Sequence, residues 1–201
     1  MQRDKEWFEI RRGKITASRI CDIMPSRNGY PAGRQKYISQ LIAERLTGEI
    51  QESYSNEAIQ HGIETEAKAR QYYEDETSSA VVEIDFIDAP DGSMSGASPD
   101  GLVGTEGMIE IKCPNTSTHI DTLLGEPIPK KYIYQMQWQI YCAGREWVDF
   151  VSFDDRLKEA PIFIKRVKKD EAMILKIKYE VDLTLKEIDD HIKKIKGFKN
   201  E

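Results

Sequence analysis

From Ser98 to Cys113 the chain reads Ser-Pro-Asp-Gly-Leu-Val-Gly-Thr-Glu-Gly-Met-Ile-Glu-Ile-Lys-Cys, and this stretch restricts the possible folds more than any other. Two short strand-like runs flank a glycine-rich turn, which predicts a hairpin with Asp100 on one strand and Glu110, Ile111 and Lys112 on the next. Side chains alternate faces along a strand, so Glu110 and Lys112 point the same way. On adjacent strands, Asp100 and Glu110 come close enough to hold one cation between two carboxylates. Hard oxygen ligands with space left for water suit Mg²⁺ or Mn²⁺ and give little reason for zinc. A lysine beside such a pair can help position a water and steady charge on a phosphorus centre. An isolated Glu-x-Lys reads more simply as a solvated polar hairpin, and Pro99-Asp100 at this spacing is what favours a site.

The 201 residues make one domain, 1–201, large enough for a real core. No apolar run is long enough to span a membrane. The opening Met-Gln-Arg-Asp-Lys-Glu has no apolar secretory region. Cys21, Cys113 and Cys142 form neither a metal spacing nor a disulfide framework, and a reducing cytoplasm is the expected location. A net charge of −6 argues against non-specific coating of nucleic acid, while leaving room for a locally basic channel.

Along the chain, residues 3 to 12 predict a short amphipathic helix with Trp7, Phe8 and Ile10 inward, stopped at Gly13. Residues 15 to 24 predict a second helix, with Thr16 as N-cap and Ile20, Ile23 and Met24 at helical spacing. A turn-rich loop over 25–33 leads to a helix over 34–46, and another helix covers 56–76. Glu66 on that helix reads as a solvated charge when taken alone. Val82, Ile84 and Phe86 alternate with charges and predict a strand over 80–87, ahead of the hairpin, giving an antiparallel meander at the centre of the sheet. A polar loop then reaches Pro129, which starts a helix over 130–143 where Gln135 and Gln139 share a face. Its aromatics read as core, and its glutamines as either core or the lining of a polar site. Strands over 147–153 and 160–167 and a terminal helix over 169–196 complete an α/β domain, a mixed sheet flanked by helices. Arg11 and Ser18, at two successive helix starts, are either packing residues or partners of one phosphate.

Asp100, nine intervening residues, then Glu110-Ile-Lys112 resembles the signature of the PD-(D/E)XK nuclease superfamily. The order Trp7-Phe-Glu-Ile-Arg-Arg-Gly-Lys-Ile-Thr-Ala-Ser18, His61-Gly-Ile-Glu-Thr-Glu-Ala-Lys-Ala-Arg70, Ser98-Pro-Asp-Gly101, Glu110-Ile-Lys-Cys-Pro114 and Tyr134-Gln-Met-Gln137 resembles, more narrowly, the phage lambda exonuclease family of YqaJ-type viral recombinases. The resemblance implies a single-domain PD-(D/E)XK fold. It also implies a processive Mg²⁺-dependent exonuclease that degrades the 5′-ended strand of linear duplex DNA and leaves 3′ overhangs. It further implies a toroidal homotrimer working beside a single-strand annealing protein in phage recombination, in a bacterial host cytoplasm.

By position, Asp100, Glu110 and the Ile111 carbonyl match the family's metal ligands, two ions being expected, and Lys112 matches the catalytic lysine. Glu66 matches a helix acid that helps to build the metal site, and Gln135 a glutamine lining it. Arg11, Ser18 and Ser98 match a pocket for the 5′-terminal phosphate. Ile59 matches an apolar wedge that splays the duplex end. Arg27 falls near a loop arginine that reaches into a DNA groove, although the loop differs in length. Two rival readings share these residues: an endonuclease of the restriction or repair type, and an end-binding scaffold without catalysis.

Overall fold

The computed structural model describes residues 5–51 and 56–198, with the backbone alone for Lys5 and for 56–64. Its elements are α1 (Lys5–Arg11), β1 (Ile15–Thr16), α2 (Ile20–Ile23), α3 (Arg34–Thr47), α4 (Asn56–Thr77), β2 (Val81–Val82), β3 (Ile87–Asp88), β4 (Ser95–Ala97), β5 (Gly101–Val103), β6 (Gly107–Lys112), α5 (Thr116–Leu123), α6 (Lys130–Ala143), β7 (Trp147–Phe153), β8 (Ile162–Lys168) and α7 (Glu171–Lys196). They build a mixed α/β domain with two sheets. The larger runs β2-β5-β6-β7-β8 and the smaller β1-β4-β3. In the larger sheet β6 and β7 are parallel and the other neighbours antiparallel.

The pleat of β6 explains the layering. Met108 points to one face, where it packs with Met136, Ile140, Val148 and Phe150 beneath α6. Ile109 and Ile111 point to the other, where Ala69 and Tyr73 of α4 cover them with Val151 and Phe153. Glu110 has the parity of Met108 and so lies under α6. That helix is buried continuously from Gln135 to Ile140, because Trp138 and Cys142 pack on its far side with Ile15, Ile20, Tyr37 and Ile177. A helix enclosed from both sides cannot shift without opening two cores, and each large apolar side chain contributes about 1.5–3 kcal/mol on burial. On the α4 face, Asp149 accepts from Tyr73 Oη at 2.8 Å and from Arg166 through Nε and Nη2 at 2.9 Å each, tying α4 to β7 and β8.

Several expectations are corrected. Ile15–Thr16 is a strand, not the start of a helix. It pairs in parallel with Ser95–Gly96, and the Thr16 side chain makes no capping bond to the 3₁₀ turn Ala17–Arg19 that follows. Residues 80–87 are not one strand: β2 joins the large sheet and β3 the small one. The polar loop after Pro114 contains α5, capped by Asn115 Oδ1, which accepts from Thr118 N at 3.0 Å. This helix is held by His119, fully buried, with Nδ1 2.8 Å from Ser152 Oγ and Nε2 2.9 Å from the Ala160 carbonyl. Ile10 faces outward, 39% exposed, so α1 rests on Trp7 and Phe8 instead.

Candidate active site

Glu110 stands on the central strand with 1% of its surface exposed. A buried carboxylate is costly unless hydrogen-bonded, and three donors meet this one. Gln135 Nε2 donates to Oε1 at 2.6 Å, Gln139 Nε2 donates to Oε2, and Lys112 Nζ pairs with Oε1. The two amides come from successive turns of α6, as their i, i+4 spacing requires. Lys112 leaves the sheet on the same face as Glu110 and also lies 5.1 Å from the Tyr132 ring. Burial works against its charge, but the Glu110 and Asp100 carboxylates outweigh burial and hold the ammonium above its ordinary range.

Asp100 lies just outside the strands, at the mouth of the β5–β6 hairpin, where its N–H donates to the Ile109 carbonyl at 3.2 Å. Its Oδ2 accepts from Ile111 N at 2.6 Å, which aims the carboxylate across the hairpin toward Glu110. Burial, then the charges of Glu110 and Glu66, push Asp100 well above the usual carboxylate range, against the pull of Lys112 and the Ile111 N–H. Such crowding of carboxylates is what a divalent cation relieves. With hard oxygens as the donor set, the residues present fit Mg²⁺ or Mn²⁺. Glu66, on α4, contributes charge from further back and sits 3.7 Å from Arg70 Nη2. Among the described residues no three His, Cys, Asp or Glu side chains converge tightly enough to hold an ion by themselves.

The second part of the site belongs to the small sheet. Arg11 Nη1 donates to Ser98 Oγ at 3.0 Å, joining positions 87 residues apart. The Arg11 guanidinium lies over the Trp7 ring, 3.9 Å from its centroid, which holds the planar fork in one orientation. Ser18 and Ser98 each follow by two residues the last parallel pair of this ladder, Thr16 opposite Gly96. Ser18 is exposed, with its Oγ 3.4 Å from Thr16 Oγ1. Gly96 makes the arrangement possible: a Cβ there would stand 2.3 Å from the Phe86 ring and 2.5 Å from the Ile87 carbonyl. From Ser98 the chain passes through buried Pro99 straight to Asp100, so the two parts are covalent neighbours.

Arg27 is exposed at the tip of a turn closed by reciprocal Ser26–Gly29 backbone bonds of 2.9 and 3.1 Å. The Ile59 side chain lies outside the described residues. The face shared by Gln135 and Gln139, which the sequence leaves open between core and polar lining, lines the site through Glu110. Sequence reasoning missed Trp7 as the surface beneath Arg11.

The YqaJ-like viral recombinase domain family matches residues 6–146. The chain belongs to that family. It is 47% identical to an alkaline exonuclease, LHK-Exo, from Laribacter hongkongensis, with a TM-score of 0.87 and 96% of each chain covered. The structure of LHK-Exo in complex with dAMP gives 48% identity and a TM-score of 0.88, again over 96% of each chain. A phage-related exonuclease from Haemophilus somnus 129PT shares the fold, at 16% identity and a TM-score of 0.68, over 90% of this chain and 96% of that one. No curated protein sequence matches the chain. Family and fold make it a nuclease of the lambda exonuclease type. Among the described residues no helix is long and apolar enough to cross a membrane.

Proposed function

We propose that this chain is a Mg²⁺-dependent exonuclease that degrades the 5′-ended strand of linear duplex DNA processively and leaves 3′ single-stranded overhangs. One observation carries the reading: the Arg11–Ser98 pair sits two residues along the chain from the Asp100–Glu110–Lys112 cluster, so a terminal phosphate and the bond to be cut are gripped together. The complex of the similar LHK-Exo with dAMP supports it, since a mononucleotide is what an exonuclease releases.

Asp100, Glu110 and the Ile111 carbonyl, with Glu66 behind them, would hold two divalent ions. Such ions, when bound, supply a nucleophilic water at neutral pH and offset charge on the phosphate oxygens. The chain's own residues do the rest. Gln135 and Gln139 fix both oxygens of Glu110, so the carboxylate is set in place before substrate arrives. Lys112, kept cationic by its carboxylates, orients the water and steadies charge developing on phosphorus. Arg11, lying over Trp7, presents its fork to a terminal phosphate that Ser18 and Ser98 complete. Each cut then leaves a new 5′ end ready for the same pocket. Contacts of this kind read backbone and carry little base specificity.

In the same reading three copies form a ring around the duplex in the host cytoplasm, Ile59 wedges the strands apart and Arg27 follows a groove. A single-strand annealing protein takes the product. The test is to incubate the protein with linear 5′-phosphorylated duplex and with closed circular duplex, in Mg²⁺ and in EDTA. Metal-dependent loss of the linear DNA alone, with long single strands remaining, is the expected outcome. Cutting of the circle would replace the exonuclease with an endonuclease, and cleavage of neither would leave an end-binding scaffold.

A further inference from the structure

The first turns of α6 serve two places at once. Tyr132 and Gln135 face the active site, while Lys130 and Tyr134 turn to a cleft of about 490 Å³ that also takes in Met24, Pro25, Lys176 and Tyr179. That volume is in the range of ligand sites. Lys131 stands between the two, with Nζ 4.7 Å from the Tyr132 ring and its charge reaching Cys21 on α2. The cleft is therefore next to the active site, around the N-terminal end of one rigid helix.

Its chemistry is unlike that of the surface as a whole. The chain carries a net charge of −6, yet two lysines, Lys130 and Lys176, line this cleft. Lys130 Nζ lies 5.2 Å from the Tyr134 ring, and among the described residues neither Lys130 nor Lys176 forms an ion pair. The cleft has one carboxylate, Glu180, which is buried and whose Oε2 is engaged by Tyr30 Oη at 2.9 Å. Tyr179 is 62% exposed and Leu175 66%, so both offer open surface to the cleft. Aromatic faces interleaved with unpaired lysines suit unpaired nucleotides: bases stack and phosphates meet ammonium groups, without a sequence code.

We infer that the cleft between α2, α6 and α7 binds single-stranded nucleic acid, with a base stacked on Tyr179 and Tyr134 and phosphates held by Lys130 and Lys176. The inference rests on the nuclease reading for its source of single strand, the product next to the active site. An apolar protein segment is the other occupant such a surface admits. The lysines favour the polyanion.

The test uses the full chain with Lys112→Ala, in EDTA, so that binding is measured without cleavage. Fluorescence anisotropy of a labelled oligo(dT) gives affinity across a salt series. Tyr179→Ala with Lys176→Glu changes only exposed positions on α7, and Lys130→Glu tests the opposite wall. Tyr134→Ala is secondary, because that ring also packs on the core. Loss of the Tyr179 ring alone is expected to weaken oligo(dT) binding about tenfold. Removing both lysines should flatten the salt dependence by about 1.4 in slope, from roughly 0.7 per lost phosphate contact. Unchanged affinity overturns the site. So does weaker binding of the variant lacking both lysines with an unchanged salt slope, or a change of oligomeric mass by light scattering, which would make the cleft an interface between copies. Because cleavage is not read, failure here is distinct from failure of the exonuclease reading, which the linear and circular substrates decide.

Discussion

The two sheets meet at Ser98–Asp100, and they hold their shares of the site by different means. In the large sheet, Glu110 is on a central strand under a helix buried on both sides, and three donors fix its carboxylate. Beside the small sheet, whose strands are only two or three residues long, Arg11 ends α1 and Ser98 directly follows β4, and their bond is supported by the Trp7 ring under the guanidinium and by close packing at Gly96. The first half is rigid through burial. The second is a shallow construction whose precision depends on a few local contacts. On the proposed function, placement of a metal would tolerate little movement, whereas an arginine fork could follow a phosphate as the DNA advances.

The widest separation between the halves should come from Lys112→Ala. It should lower cleavage of linear duplex by about 10³-fold or more, while binding of duplex ends, measured by anisotropy, persists. Retained turnover would remove Lys112 from the chemistry. Next is Gln139→Leu, which takes away one donor to a buried carboxylate. A loss of about 10- to 100-fold in activity is expected, with a weaker Mg²⁺-induced rise in melting temperature. If that rise is unaltered, Gln139 only fills space. In the small sheet, Arg11→Ala should narrow the rate advantage of 5′-phosphorylated over 5′-hydroxyl ends by about tenfold, as expected for charge-assisted hydrogen bonds. An unchanged ratio would break the contrast between the halves.

The smallest effect concerns the anchoring of the small sheet. Its β3–β4 turn is tied to α7 by Asp91, 2.8 Å from Lys178 Nζ. Burial acts to raise Asp91, but hydrogen bonds from Lys178 and Ser93 prevail and hold it below the ordinary carboxylate value of 3.8. The contact therefore stabilises the fold above about pH 4 and loses its contribution as acid protonates Asp91. Asp91→Asn should cost under about 1 kcal/mol at neutral pH for so exposed a pair. The difference in melting temperature from the parent should shrink on acidification from neutral to about pH 3. A constant difference would assign the effect to the turn.

The same contrast explains what the sequence disclosed. Long periodic elements were plain: α6 runs over the residues that Pro129 and the apolar spacing mark, and α7 follows its Ile174, Ile177, Val181 and Ile188 stripe. The Asp100 and Glu110-x-Lys112 spacing put two carboxylates and a lysine at one hairpin. Two-residue strands have no period to read. Ile15–Thr16 was absorbed into the helical pattern of Ile20 and Ile23, and the alternation of Val82, Ile84 and Phe86 concealed a change of sheet. α5, rich in threonine, is held by His119 reaching Ser152 and Ala160, contacts that no local pattern contains. The Arg11–Ser98 bond likewise spans positions that only the family resemblance placed together.

The link Ser98–Pro99–Asp100 has a metrical meaning. Two Cα–Cα steps span at most about 7 Å, and the proline removes much of the slack. On the proposed assignment, one end of this link touches the terminal phosphate and the other the carboxylates at the bond to be broken. The peptide then works as a built-in ruler. The length of the fragment cut away is fixed by covalent geometry and not by recognition of a base, so one nucleotide leaves per turnover whatever the sequence.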